Sequence, residues 1–125
     1  MKIGCVKEIK NNEFRVGLTP DNVRAYVAEG HHVYIEKGAG VGSGFADTEY
    51  VAAGASLIED AADVWHLVDM MVKVKEPLEE EYPLFHDGLI LYTYLHLAAD
   101  KQQMDARLRG KVNAVAYETL QETDR

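Results

Sequence analysis

The sequence has one cysteine in 125 residues, so no intramolecular disulfide staples it. Cys5 sits in an apolar strand pattern with no activating neighbour and is read as a buried free thiol. Basic residues are short too: 13 lysines and arginines face 21 aspartates and glutamates, a formal net charge of -8. A phosphate-backbone binder needs a basic stripe to replace counterions, which excludes nucleic acid as a partner. No apolar run approaches the roughly 18 residues of a membrane span. Met1-Lys2 leads straight into a strand pattern, without the regions of a signal peptide. The expectation is a cytoplasmic protein with no membrane partner. The length suits one domain with one core.

What is present is an alternation of short apolar strands with amphipathic helices. A strand over Lys2–Lys7 is followed by a polar loop carrying Arg15. Thr19-Pro20-Asp21 then reads as a helix start, with a hydroxyl cap, proline in the first turn and an acid at the positive end of the dipole. That helix runs Pro20–Glu29 and stops at Gly30. Strands follow at His32–Glu36 and Ala55–Ile58, separated by a helix over Asp47–Ala53. Asp60 is read as the cap of a helix to Leu67, with Val64 and Leu67 at the packing spacing. A strand from Val68 to Val74 hands over Lys75 and is broken off by Pro77. The acidic run Leu78–Tyr82 reads as a short solvated turn. Next come a buried strand, Leu89–Leu97, a helix over Asp100–Leu108 and a last strand at Val112–Tyr117.

This order predicts an α/β fold of three layers, a mostly parallel twisted sheet with helices on both faces, Rossmann-like or flavodoxin-like. After Glu118 the sequence is polar with no closing element. The fold is therefore expected to be incomplete without a C-terminal segment, and the chain to be part of a longer polypeptide.

The segment Lys37–Gly44, KGAGVGSG, tempts a dinucleotide reading, but its spacing rejects it. Glycines fall at 38, 40, 42 and 44, so a G-x-G-x-x-G frame from Gly38 meets Ser43 in third place, and no helix opens directly after it. A flexible surface loop is the simpler account.

In open parallel sheets ligands bind outside the carboxyl ends of the strands. Three residues have that address. His96 ends the strand LILYTYLHL, Lys75 ends the strand before it, and Arg15 lies in the loop after the first. Each has an ordinary alternative as a satisfied strand-end or surface side chain. Together an imidazole, an ammonium and a guanidinium describe a site for a small carboxylate with a proton to move. Lys73 is read as structural, its stem buried and its ammonium at the surface. His31, His32, His66 and His86 make no metal-ligand spacing, and no serine stands in a G-x-S-x-G elbow.

The segments KEIKNNEFRVGLTP, GHHVYIEKGAGVGSGFADTEYVAAGA, LVDMMVKVKEPLEEEY, ILYTYLHLAA and VNAVAYETL together resemble the N-terminal part of the alanine dehydrogenase and nicotinamide nucleotide transhydrogenase family. The likeness covers essentially all 125 residues. Transhydrogenase subunits have a neutral residue where Lys75 stands and no histidine where His96 stands, so the chain resembles the alanine dehydrogenase branch. It departs from the family at Val6, where proline is common, and at Gly17, where alanine is common.

The resemblance implies reversible oxidative deamination of L-alanine to pyruvate and ammonia with NAD. It implies that residues 1–125 are the first part of the substrate-binding catalytic domain and that NAD is bound by a domain absent from this chain. Arg15 would pair with the substrate carboxylate, Lys75 would hold the carbonyl oxygen, and His96 would be the general acid and base. Tyr94, two residues before His96 on the same strand face, would line the pocket. The whole protein is expected to be a homo-oligomer, and this chain alone to be inactive. The alternatives are a non-catalytic module binding a small oxo acid or amino acid, and a domain like that of the transhydrogenase α subunit.

Overall fold

The computed structural model describes residues 1–9, 15–75, 79–95 and 112–117. Six strands make one sheet: β1 (Lys2–Cys5), β2 (His32–Glu36), β3 (Ser56–Ile58), β4 (Met70–Lys75), β5 (Leu89–Leu95) and β6 (Val112–Tyr117). Their order is β3-β2-β1-β4-β5-β6. Every pairing among the described residues is parallel, as the alternation of strands with helices implied. The first strand stops at Cys5, two residues sooner than the apolar pattern suggested. From β1 the chain steps outward to β2 and β3, then crosses back to place β4 on the other side of β1. The order therefore reverses between β1 and β4.

Three helices connect the first four strands: α1 (Pro20–Ala28), α2 (Asp47–Ala52) and α3 (Ala61–Leu67). The expected cap of α1 is present. Thr19 Oγ1 accepts from the Asn22 N–H and Asn22 Oδ1 accepts from the Thr19 N–H, both at 3.2 Å, which satisfies two backbone donors reciprocally. At α3 the expectation fails, because Asp60 stands at the N-cap position with no capping hydrogen bond from its side chain.

The alternation of strand side chains makes two cores, not one. On one face Ile3, Cys5, Val33, Ile35 and Val72 pack with Val23 of α1 and Tyr50 of α2. On the other, Met71, Leu89 and Leu91 pack with Val64 and Trp65 of α3 and with Phe85. Trp65 is fully buried, its ring centroid 4.9 Å from that of Phe85, while Leu67 is only half-buried. The indole, with more apolar surface to remove from water, takes the inward position expected of Leu67. Among the described residues no helix is long and apolar enough to cross a membrane. The expected helix at 100–108 lies outside the described residues.

Candidate functional site

The carboxyl ends of β1 and β4 meet where the strand order reverses, the place where open α/β sheets take their ligands. Backbone pairing runs out there, and carboxylates take over. Glu36, ending β2, accepts the Lys7 N–H at 2.7 Å. Glu8 reaches across to β4: its Oε2 accepts the Val74 N–H at 2.9 Å, and its Oε1 accepts the Lys75 N–H at 3.4 Å.

Glu8 Oε1 also lies 3.2 Å from the ammonium of Lys73, and Glu81 Oε2 lies 3.7 Å from it. This corrects two expectations. Lys73 does not carry its ammonium to the surface; its side chain is 1% exposed. Nor is the acidic run merely solvated, since Glu81 turns inward from a 3-10 helix over Glu79–Leu84. A buried ammonium requires paired carboxylates, and these two supply them.

Beside this cluster opens a hollow of about 300 Å3, lined by Lys7, Glu8, Arg15, Gly38, Ala39 and Val41. The glycine segment is thus not simply a flexible surface loop. It folds into a 3-10 turn over Val41–Ser43 that forms part of the wall. A Cβ at Gly40 would fall 2.5 Å from the Tyr50 hydroxyl, so only glycine lets the turn sit down on that ring. The Tyr50 hydroxyl in turn donates to the Leu18 carbonyl at 2.8 Å, tying the turn to the segment that carries Arg15. Gly17 is held as closely: a Cβ there would fall 2.4 Å from the Val72 carbonyl oxygen.

Several donors of the turn are used within the fold. Its Gly38 N–H goes to Asp47 Oδ1, and those of Ala39, Val41 and Ser43 go to neighbouring carbonyls. These four donors are already engaged.

Of the expected site residues, Arg15 is exposed and lines the hollow, and Lys75 is half-buried at the end of β4. What joins them is Glu8, which shares the hollow with Arg15 and accepts the Lys75 N–H. Leu95 is the register partner of Lys75 in the β4–β5 ladder, and His96 is the next residue in sequence. His96 itself lies outside the described residues, as does the side chain of Tyr94, whose backbone is within β5.

Two buried groups are removed from acid–base work near neutrality. Burial, with a smaller contribution from the Glu8 charge, pushes the Cys5 thiol up to about 12. Burial, aided by Cys5 and Glu49, pushes the Tyr50 hydroxyl above its usual range. Cys5 is the inert thiol its surroundings suggested. Sequence reasoning missed Glu8, Lys7, Glu81 and Tyr50. For Glu8 and Lys7 a signal existed, because both follow β1 at the same strand-end address that singled out Lys75.

Comparison with known proteins adds the relatives. A family model described as alanine dehydrogenase/PNT, N-terminal domain, matches residues 4–125. Alanine dehydrogenase of Methanococcus maripaludis is 55% identical over the whole chain, which covers 34% of that relative. The Staphylococcus saprophyticus alanine dehydrogenase is 56% identical, with 33% of it covered. A solved L-alanine dehydrogenase superposes with a TM-score of 0.83 at 52% identity, over 93% of this chain and 32% of that one. The transhydrogenase from Sinorhizobium meliloti gives 0.82 at 26% identity, over 93% and 34%. The chain thus spans about a third of the length of the curated relatives it matches.

Proposed function

The chain belongs to the family of alanine dehydrogenase/PNT N-terminal domains, and from that premise we propose that it is the first part of the substrate-binding domain of an NAD-dependent L-alanine dehydrogenase. The reaction takes L-alanine, NAD and water to pyruvate, ammonium, NADH and a proton, reversibly. NAD is held by polypeptide outside these residues, a reading supported by a glycine spacing that departs from the dinucleotide fingerprint. The whole protein is a cytoplasmic homo-oligomer.

The observation that carries the proposal is the convergence at the β1/β4 switch point. Glu8 joins the Arg15 hollow to the Lys75 backbone, and Lys75 pairs in register with the residue before His96. In this reading Arg15 takes the substrate carboxylate with its planar fork, fixing orientation as well as charge. Lys75 donates to the oxygen on the α-carbon of pyruvate, or of the carbinolamine that precedes it. His96 takes and returns the proton as amine is exchanged for hydroxyl, a task suited to a side chain that titrates near neutrality. Tyr94 lines the same pocket. The far higher identity to alanine dehydrogenases, 55% against 26%, supports this branch over the transhydrogenase.

Calorimetric titration of pyruvate tests the reading. Binding to the wild type that is weakened about tenfold or more in Arg15→Ala is expected from the loss of a charge-assisted bidentate pair. Equal affinity in the two proteins would remove the basis for the assignment.

A further inference from the structure

We propose that Glu8 is a positioning residue, which aims Lys75 at the ligand by fastening the carboxyl end of β4. The inference rests on the site proposed above and adds to it a role for a residue the sequence reading passed over.

Lys73 has two carboxylates, one more than its charge requires. Glu81 faces it at 3.7 Å and Glu8 at 3.2 Å. Glu8 also accepts the backbone N–H groups of Val74 and Lys75. Those two groups lie where β4 has left β1 behind, since the β1–β4 pairing registers only Ile3 with Met70 and Gly4 with Met71. The far end of β4 is therefore paired on one side by β5, while on the other Glu8 holds two of its N–H groups. The Glu8 side chain is 2% exposed, and the residue also lines the hollow shared with Arg15. A buried carboxylate held by an ammonium and two amides is a rigid fixture, and rigidity behind a binding side chain keeps its geometry productive.

The charge arithmetic makes the idea testable. Glu8→Gln leaves Glu81 to neutralise Lys73, so the variant is expected to fold, whereas the two N–H groups lose their anionic acceptor. Two readouts are compared on the whole protein of which these residues are proposed to be the first part. Amide exchange at Val74 and Lys75 is expected to quicken about tenfold or more in Glu8→Gln, as a lost charge-assisted bond implies, with Ile35 of β2 unchanged. The Kd for pyruvate is expected to rise by a similar factor, and that rise is expected to vanish when Lys75→Met is already present. Glu8→Asp, too short to reach both amides, serves if Glu8→Gln does not fold and is expected to behave alike.

Unchanged exchange at Val74 and Lys75 would overturn the proposal while leaving the site intact. Losses of Glu8→Gln and Lys75→Met that simply add would overturn it too, reducing Glu8 to a structural residue. If Arg15→Ala and Lys75→Met leave the pyruvate Kd unchanged, the site reading itself fails and the proposal falls with it.

Discussion

The ammonium of Lys73 lies 3.2 Å from Oε1 of Glu8, a residue 65 positions away along the chain, with both side chains out of water. Ion pairs this deep are costly to form and more costly to break, because removing one partner strands the other. Lys73→Met keeps the length of the buried stem and leaves Glu8 and Glu81 facing each other. A loss of about 3–5 kcal/mol is expected, the range for breaking a buried pair. Urea denaturation checks it, and a variant within about 1 kcal/mol of wild type would show that the pair is not needed.

Gly17 sits against the β4 backbone, and an alanine Cβ would fall 2.4 Å from the Val72 carbonyl oxygen. Family members with alanine at this position must carry the loop farther from that oxygen, whereas here glycine lets the two segments close up. Gly17→Ala is expected to cost about 1–3 kcal/mol, the usual size of overpacking, and to weaken pyruvate binding by moving Arg15, two residues away. Melting and titration of the one variant test both effects. Unaltered stability would show that the loop shifts freely.

These two contacts mark the limit of what the sequence makes legible. The alternation of apolar runs with capped helices shows in composition and spacing, so the parallel sheet and the elements from Pro20 to Leu67 are readable there to within a residue or two. The strand-end position of Lys75 is readable by the same logic. Lys73 is not, because a lysine in a strand looks the same whether its ammonium is solvated or met by two carboxylates from distant segments. The wall formed by Gly38–Val41 is hidden for a similar reason. Glycine spacing tells what a turn does not bind, but not that a tyrosine ten residues onward gives it a seat.

Cys5 and Tyr50 set the alkaline behaviour. Below pH 9.0, the ordinary value for the thiol, Cys5 is protonated in both the folded and unfolded chain and adds nothing to pH dependence. Between there and about 12 the unfolded chain releases a proton that the native chain keeps, so stability falls as pH rises. The slope from this group approaches about 1.4 kcal/mol per pH unit. The raised Tyr50 hydroxyl steepens it at higher pH in the same direction. Urea midpoints measured on the alkaline side are expected to fall less steeply in Cys5→Ala than in wild type. Equal slopes would contradict the assignment.

The N–H groups of Gly38, Ala39, Val41 and Ser43 are engaged within the fold, and NAD is proposed to be held by polypeptide outside these residues. The 125-residue chain supplied with L-alanine and NAD is expected to form no NADH. Absorbance of the reduced nicotinamide follows this directly, and steady turnover would place a cofactor site within these residues.

A crystal structure of the chain with pyruvate tests the central claim most directly. The account predicts the ligand in the hollow beside Glu8, its carboxylate against the Arg15 guanidinium and its carbonyl oxygen toward the Lys75 ammonium. Pyruvate seated away from both cations, as in the groove between His32 and Ser56 at the opposite part of β2, would contradict it.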